Sequence, residues 1–311
     1  LVRHGESERN IAKAKAEGIA EAWRQAMARL ETPAPVGYSS AGVVIGLGNA
    51  IDNFSLGDRV ACSGAGVASH ASVTVVPPHL CVKIPGAVDF ESAAFAALGG
   101  IALEAVRMSE VSLGSRVAVI GLGLLGQIAV QLLRAAGCHV VGMDLDAHKA
   151  QMALQHGAEA TACSYDELRA LVPRVQAHAG FDSVILLAAT SSNQPLEVAA
   201  EICRERGRVV ATGLIGLDLP RKPFYDKELE LVVSRAWGPG LYDPSYTSAG
   251  LDYPLPYVRW TAQRNLDEFV AQLAKGSVQV RNLISHRFEF SRSMEAYNLI
   301  LSGKEPYLGV L

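Results

Sequence analysis

At 311 residues the chain is long enough for two domains, each able to bury its own core. Its 28 Lys and Arg against 31 Asp and Glu leave a net charge of −3, too little positive field to attract nucleic acid or an anionic membrane surface. A content of 50% hydrophobic residues with 29 glycines excludes a disordered chain, and the five cysteines (Cys62, Cys81, Cys138, Cys163 and Cys203) are spaced for neither a disulfide framework nor a zinc knuckle. They point to a reducing, cytoplasmic setting, and no secretory signal is visible. The first residue is Leu1 rather than Met, so the chain reads as a piece of a longer protein.

Apolar residues at helical spacing predict a helix over 8–30, ended by Pro33 and Pro35. Short β-branched runs then predict strands at 41–45, 59–62, 72–76 and 81–84, separated by Gly, Asn, Asp and Pro clusters. An alanine-rich helix is expected at 91–107. Beyond it the rhythm alternates: strands at 116–120, 139–143, 158–162, 182–187, 208–212 and 231–234, with helices at 128–136, 148–155, 165–177 and 195–205. Such alternation implies βαβ units and a doubly wound parallel sheet covered on both faces. A Gly- and Pro-rich stretch at 238–257 carries four of the nine tyrosines and reads as a functional or interface loop. A helix at 266–274, a strand at 283–290, a helix at 292–301 and a strand at 307–310 close the chain.

The most apolar stretch, 117–133, is interrupted by glycines that suit a strand, a turn and a helix rather than a membrane span. The strand at 116–120 runs into Gly121-Leu122-Gly123-Leu124-Leu125-Gly126. The first glycine permits the tight turn, the second lets backbone approach a pyrophosphate, and the third lets the helix pack against the strand. The next strand ends in Asp144, about 20 residues on, where an acid accepts from the ribose hydroxyls of NAD and repels the 2′-phosphate of NADP. Asp146 adds to that repulsion. Further cofactor contacts are expected from loops at the carboxyl ends of later strands, namely Ala188-Ala189-Thr190 and Thr212-Gly213-Leu214.

The order of parts resembles the medium-chain dehydrogenases, the zinc alcohol dehydrogenase-like superfamily. The likeness runs from Pro35 and includes Gly57-Asp58-Arg59-Val60, Lys83-Ile84-Pro85 and Ser285-His286-Arg287-Phe288. It implies a GroES-like catalytic domain over 1–88, an NAD-binding Rossmann domain over 89–240, and a return to the catalytic domain over 241–311. More narrowly, the segments from Gly37 to Val44 and from Ser234 to Tyr242, followed by Asp252-Tyr253-Pro254 and Tyr257-Val258-Arg259-Trp260, resemble the bi-domain oxidoreductases. That resemblance implies a fused or partner Gfo/Idh/MocA-like domain, and it leaves a homo-oligomer open.

Zinc members carry Gly-His-Glu where this chain has Gly37-Tyr38-Ser39, and a later ligand falls near Ala97. Catalytic zinc takes about three protein ligands, so the expectation is a protein without metal. Without a Lewis acid, a hydroxyl near the nicotinamide can take the proton of an alcohol. Tyr38, with Ser39 beside it, is the candidate catalytic or substrate-positioning group, and the competing reading is a core tyrosine with a satisfied hydroxyl. His70, with no Cys or carboxylate at ligand spacing, reads as structural, and His286 as packing. Leu1-Val2-Arg3-His4-Gly5-Glu6-Ser7 matches a histidine phosphatase signature, but the parts that follow are not those of a phosphatase.

The expected function is zinc-independent, NAD-dependent hydride transfer at an alcohol or carbonyl carbon, with a sugar or polyol implied by the resemblance. The alternative is a non-catalytic NAD(H)-binding module serving a fused or partner oxidoreductase domain.

Overall fold

The structure, a computed structural model, describes residues 35–311 except 50, 173, 176 and 177. The helix expected at 8–30 and the phosphatase-like motif at 1–7 lie outside the described residues. Strands β1 (Ser39–Val43), β2 (Arg59–Ser63) and β3 (Cys81–Lys83) form an antiparallel sheet with β2 in the centre. Ala61 of β2 pairs with Ala41 on one side and Val82 on the other. The strand expected at 72–76 does not form. Val73 and Val75 stand 61% and 88% exposed, and a β-branched run becomes a strand only where neighbours take its backbone bonds and a core takes one face.

The helix expected at 91–107 is broken in two, α1 (Phe90–Ala93) and α2 (Ala96–Met108). Asp89 caps α1 by accepting from the Ser92 amide at 2.8 Å. The Ser39 hydroxyl occupies the break, donating to the Ala94 carbonyl at 2.6 Å and accepting from the Ala97 amide at 3.2 Å. The small sheet is thereby tied to the start of α2.

The alternating half follows as β4 (Arg116–Ile120), α3 (Leu124–Ala135), β5 (His139–Met143), α4 (Ala147–Gln155), β6 (Ala160–Ala162) and α5 (Tyr165–Ala170). A short antiparallel pair, β7 (Arg174–Val175) and β8 (His178–Ala179), precedes β9 (Phe181–Leu186), α6 (Gln194–Ile202), β10 (Cys203–Ala211), α7 (Arg221–Asp226) and β11 (Glu230–Val233). The six long-range strands form one parallel sheet in the order β6-β5-β4-β9-β10-β11. The order reverses between β4 and β9, and ligands bind at such a switch point, outside the carboxyl ends of the strands.

Side-chain alternation along the central strands explains the two covered faces. Val117, Val119, Ile185 and Val210 enter one core with α2 and α3, while Ala118, Ile120, Val184, Leu186 and Val209 enter the other with α6. Two helices are shorter than the spacing predicts. The helix expected at 165–177 stops at Ala170, ahead of Pro173, which disfavours helical backbone in the residue before it. The helix expected at 195–205 stops at Ile202 because Cys203 is drawn into β10, opposite Phe181. Lys227 Nζ caps that end, donating to the carbonyls of Ala200, Glu201 and Cys203 at 3.0, 2.6 and 2.9 Å.

The C-terminal return holds α8 (Pro244–Thr247), α9 (Ala262–Lys275), β12 (Ile284–His286), α10 (Ser293–Ser302) and β13 (Gly309–Val310), with β12 and β13 parallel. The tyrosine-rich loop at 238–257 is half structural: Tyr246 is fully buried, its hydroxyl 3.1 Å from Thr261 Oγ1, whereas Tyr242 and Tyr257 are exposed. Gln263 Nε2 donates to the Pro78 and Cys81 carbonyls at 2.8 and 2.9 Å, joining α9 to the small sheet. Among the described residues no helix is long and apolar enough to cross a membrane.

Candidate functional site

Three loops at the carboxyl ends of β4, β9 and β10 meet at the switch point. Gly121 has φ +98°, a conformation that side-chain-bearing residues rarely adopt, and any Cβ there would overlap the Ala188 backbone. A Cβ on Gly126 would overlap the Gly121 carbonyl oxygen, and one on Gly213 the Ala188 carbonyl oxygen. Thr190 donates its amide to the Leu214 carbonyl at 2.7 Å, and the Thr212 and Gly213 amides both reach the Leu186 carbonyl, at 3.0 and 2.8 Å. The turn and both later loops therefore form one wall.

Gly123 differs from its neighbours. A Cβ there would meet nothing within 4 Å. Gly123 is the N-cap of α3 with no side-chain cap, so the first amides of that helix lack intrahelical partners beside this open space, an arrangement suited to a diphosphate. The residues fit a dinucleotide on this observation alone: the only glycine of the three with free space before it is the one whose backbone would meet the phosphates.

Asp144 sits at the end of β5. Its Oδ2 accepts from the Leu122 amide at 2.8 Å and its Oδ1 from the Asp146 amide at 3.0 Å, which fixes the carboxylate against the glycine turn. Gln127, fully buried in α3, supports the turn from behind through the Leu122 carbonyl at 2.9 Å and the Lys149 carbonyl at 2.8 Å. Leu125 is half-buried in the first turn, and the Ala189, Thr190 and Leu214 side chains are exposed at the rim of the wall.

Two buried hydroxyls beside this wall, Thr212 Oγ1 and Ser234 Oγ, and the Trp237 indole N–H have no hydrogen-bond partner among the described residues. Buried polar groups are seldom left unpaired. Thr212 follows β10 and Ser234 follows β11, so both lie at strand carboxyl ends. Ser234 and Trp237 both fall in the Ser234–Tyr242 segment that carries the resemblance, but no sequence feature assigned either of them a role in the site.

Tyr38 stacks on Trp237 with ring centroids 6.5 Å apart and planes 12° apart. It is 39% exposed, and its hydroxyl bonds to no protein group among the described residues. Burial pushes the phenol up from its ordinary value, keeping it a hydrogen-bond donor at neutral pH. Ser39, by contrast, spends its hydroxyl on the α1–α2 break. Tyr38 and Leu124 line one cavity of about 680 Å³ between the small sheet and the C-terminal return. Among the described residues no three His, Cys, Asp or Glu side chains converge on a point where a metal could sit, and Tyr38 and Ala97 at the positions suggested by the resemblance do not make a zinc donor set.

Fold and cleft together define a Rossmann-type parallel sheet with a glycine turn at its switch point, joined to a small antiparallel sheet. Residues 125–243 match the family profile of zinc-binding dehydrogenases. D-guloside 3-dehydrogenase of Escherichia coli is 32% identical over 125 residues, which are 40% of this chain and only 35% of that protein. The chain thus matches about a third of the length of that relative. D-xylulose reductase of Scheffersomyces stipitis is 24% identical over 320 aligned positions, covering 88% of this chain and 81% of that one. Among solved structures, galactitol-1-phosphate dehydrogenase from Escherichia coli superposes with a TM-score of 0.70 at 19% identity, covering 88% and 83% of the two chains. The chain is thus similar to the zinc-binding dehydrogenases over part of its length, and it shares the fold of galactitol-1-phosphate dehydrogenase, a small antiparallel sheet beside a parallel Rossmann sheet.

Proposed function

We propose that this chain is an NAD(H)-dependent oxidoreductase that acts on an alcohol or carbonyl carbon without a catalytic zinc. The observation that carries the cofactor reading is the pairing of open space at Gly123 with the carboxylate of Asp144 fixed beside it. Bound there, the nicotinamide would accept or give up the hydride. An acid at the ribose end accepts from both hydroxyls of NAD and meets a 2′-phosphate with like charge. Thr212 and Ser234 would satisfy their hydroxyls on the cofactor, with Gly213 and Ala189 supplying backbone beside it.

Tyr38 is proposed to hold the substrate oxygen by donating its phenol proton, in the absence of a donor set for zinc among the described residues. The relatives named for a guloside and for xylulose support a sugar or polyol as the substrate class. Phe95, Leu98, Phe288 and Ile300 give the cavity apolar walls, which favours a ring or a substituted alcohol over a linear free polyol. The setting we propose is cytoplasmic, consistent with five cysteines that form no disulfide.

The test is NADH fluorescence titration followed by NAD+ turnover on sorbitol, xylitol, cyclohexanol and 1-phenylethanol, with the wild type and Tyr38→Phe. NADH binding, turnover of at least one alcohol, and a kcat in Y38F reduced at least tenfold with unchanged NADH affinity are expected. NADH binding without turnover of any substrate would replace this reading with a non-catalytic nucleotide-binding module.

A further inference from the structure

In the cavity lined by Tyr38 and Leu124, two side chains 227 residues apart in sequence meet: His70 Nδ1 lies 2.6 Å from the Tyr297 hydroxyl oxygen, with ring centroids 6.0 Å apart. His70 comes from the loop after β2 and Tyr297 from α10, so their contact joins the small-sheet side of the cavity to the C-terminal return. His70 is held firmly. Its imidazole packs on Gly37, where φ is +90° and any Cβ would overlap the ring, and its amide donates to the Val36 carbonyl at 2.8 Å. The residue that carries the ring is thus fixed to the segment that carries Tyr38. A second, independent feature lies beside it: the Ser69 hydroxyl, in a side chain only 8% exposed and lining the same cavity, has no partner among the described residues. A buried hydroxyl left open at a cavity wall calls for a polar group from a ligand.

We propose that His70 and Tyr297 are the proton-transfer pair of this site, with the Tyr297 hydroxyl meeting the reacting substrate oxygen and His70 taking the proton behind it. The proposal rests on the dehydrogenase reading above. In alcohol oxidation the substrate O–H bond breaks and its proton passes to the Tyr297 oxygen as the Tyr297 proton passes to His70 Nδ1. The O–H electron pair becomes the second C–O bond, and the C–H pair leaves as the hydride that NAD+ takes up. Carbonyl reduction reverses each step. Tyr38 cannot fill this role, because no base lies within hydrogen-bond reach of its hydroxyl among the described residues and burial holds its proton in place. The Tyr297 hydroxyl has an imidazole nitrogen 2.6 Å away, within the reach that a general base requires, and in the proposal that nitrogen is the acceptor. Tyr38 therefore orients the oxygen and the pair moves the proton. The other titratable side chains on the cavity wall are Tyr38 and Glu289.

The experiment uses the full chain with Tyr297→Phe, His70→Gln and Glu289→Gln. In Y297F and H70Q, NADH fluorescence titration should give affinities within twofold of wild type, while kcat on the best alcohol of the panel falls on the order of 100-fold. The acid-side limb of the kcat–pH profile for oxidation should vanish in H70Q and persist in E289Q. A third readout needs no turnover: long-range 1H–15N spectra of the cofactor-free protein should show His70 Nδ1 as an unprotonated acceptor whose shift changes in Y297F. Wild-type turnover kept in both Y297F and H70Q, or Nδ1 found protonated and donating to Tyr297, would overturn the pair alone. Wild type that binds NADH but turns over no alcohol would overturn the dehydrogenase reading and the pair with it.

Discussion

The Asn265 carboxamide donates to Glu104 Oε2 at 2.8 Å inside the α2–α9 contact, where Asn265 is fully buried and Glu104 nearly so. The same amide group reaches the Trp237 carbonyl at 3.0 Å, and its oxygen accepts from Arg107 Nε at 2.7 Å. The Arg107 guanidinium also lies over the Trp260 ring, 3.2 Å from its centroid. One side chain therefore holds together two charges and the backbone of the residue on which Tyr38 stacks. Asn265→Ala should cost about 3 kcal/mol, because a buried carboxylate and a carbonyl both lose their partner. Urea unfolding of the two proteins gives the difference, and a loss below about 1 kcal/mol would show that water replaces the amide.

Glu104 also makes stability depend on pH. Burial pushes its carboxyl above the ordinary value, with the Asn265 bond and Arg107 opposing. The folded carboxyl keeps its proton to higher pH than the unfolded one, so folding takes up a proton in that window and stability falls as pH rises through it. Glu104→Gln removes this contribution. The stability of E104Q relative to wild type should therefore grow between mildly acidic and neutral pH, read from urea midpoints at each pH. Parallel curves would contradict the assignment.

The glycines of the turn separate folding from binding. Gly123 has φ −64° and open space before it, so Gly123→Ala should leave the melting temperature nearly unchanged and weaken NADH at least tenfold. Gly126→Ala puts a methyl group into the Gly121 carbonyl, and overpacking of that kind costs about 1–3 kcal/mol or more. Fluorescence titration and thermal melts of both variants check the contrast, which fails if G123A binds NADH as wild type does.

What the sequence alone could yield follows from how local each determinant is. The strand, the glycine turn, the helix and Asp144 lie within one βαβ unit, and the parallel sheet follows from the alternation of strand and helix, whereas its order, reversed between β4 and β9, does not. The turn residues therefore stand together in the structure, though their contact with a cofactor is still a proposal. Ser39 was readable as a polar neighbour of Tyr38, but its use as a plug in the α1–α2 break depends on Ala94 and Ala97, more than fifty residues away. The 72–76 run has strand composition without a strand, because composition does not say whether a partner edge is present. His70 looked isolated for the same reason: its partner Tyr297 comes from the far end of the chain, and no periodicity links a loop to a helix across that distance. The orphaned hydroxyls of Thr212 and Ser234 and the Trp237 N–H belong to this class too, since being unpaired is a property of the fold and not of a motif.

The proposed preference for NAD over NADP rests on the charge of Asp144. Both of its oxygens are held by backbone amides, from Leu122 and Asp146, so the carboxylate cannot swing away from an incoming 2′-phosphate. Asp144→Asn removes the charge with almost no change in volume, but turns one NH2 toward a backbone N–H, so a modest loss of thermal stability is expected as well. Removing a like charge about 4 Å from a phosphate is worth between about 1 kcal/mol in water and about 4 kcal/mol near a protein surface, which corresponds to roughly a fivefold or greater rise in NADPH affinity relative to NADH. Competitive fluorescence titration with the two reduced cofactors measures that ratio directly. A wild type that already prefers NADPH, or a ratio unmoved by the substitution, would mean that some other group reads the ribose.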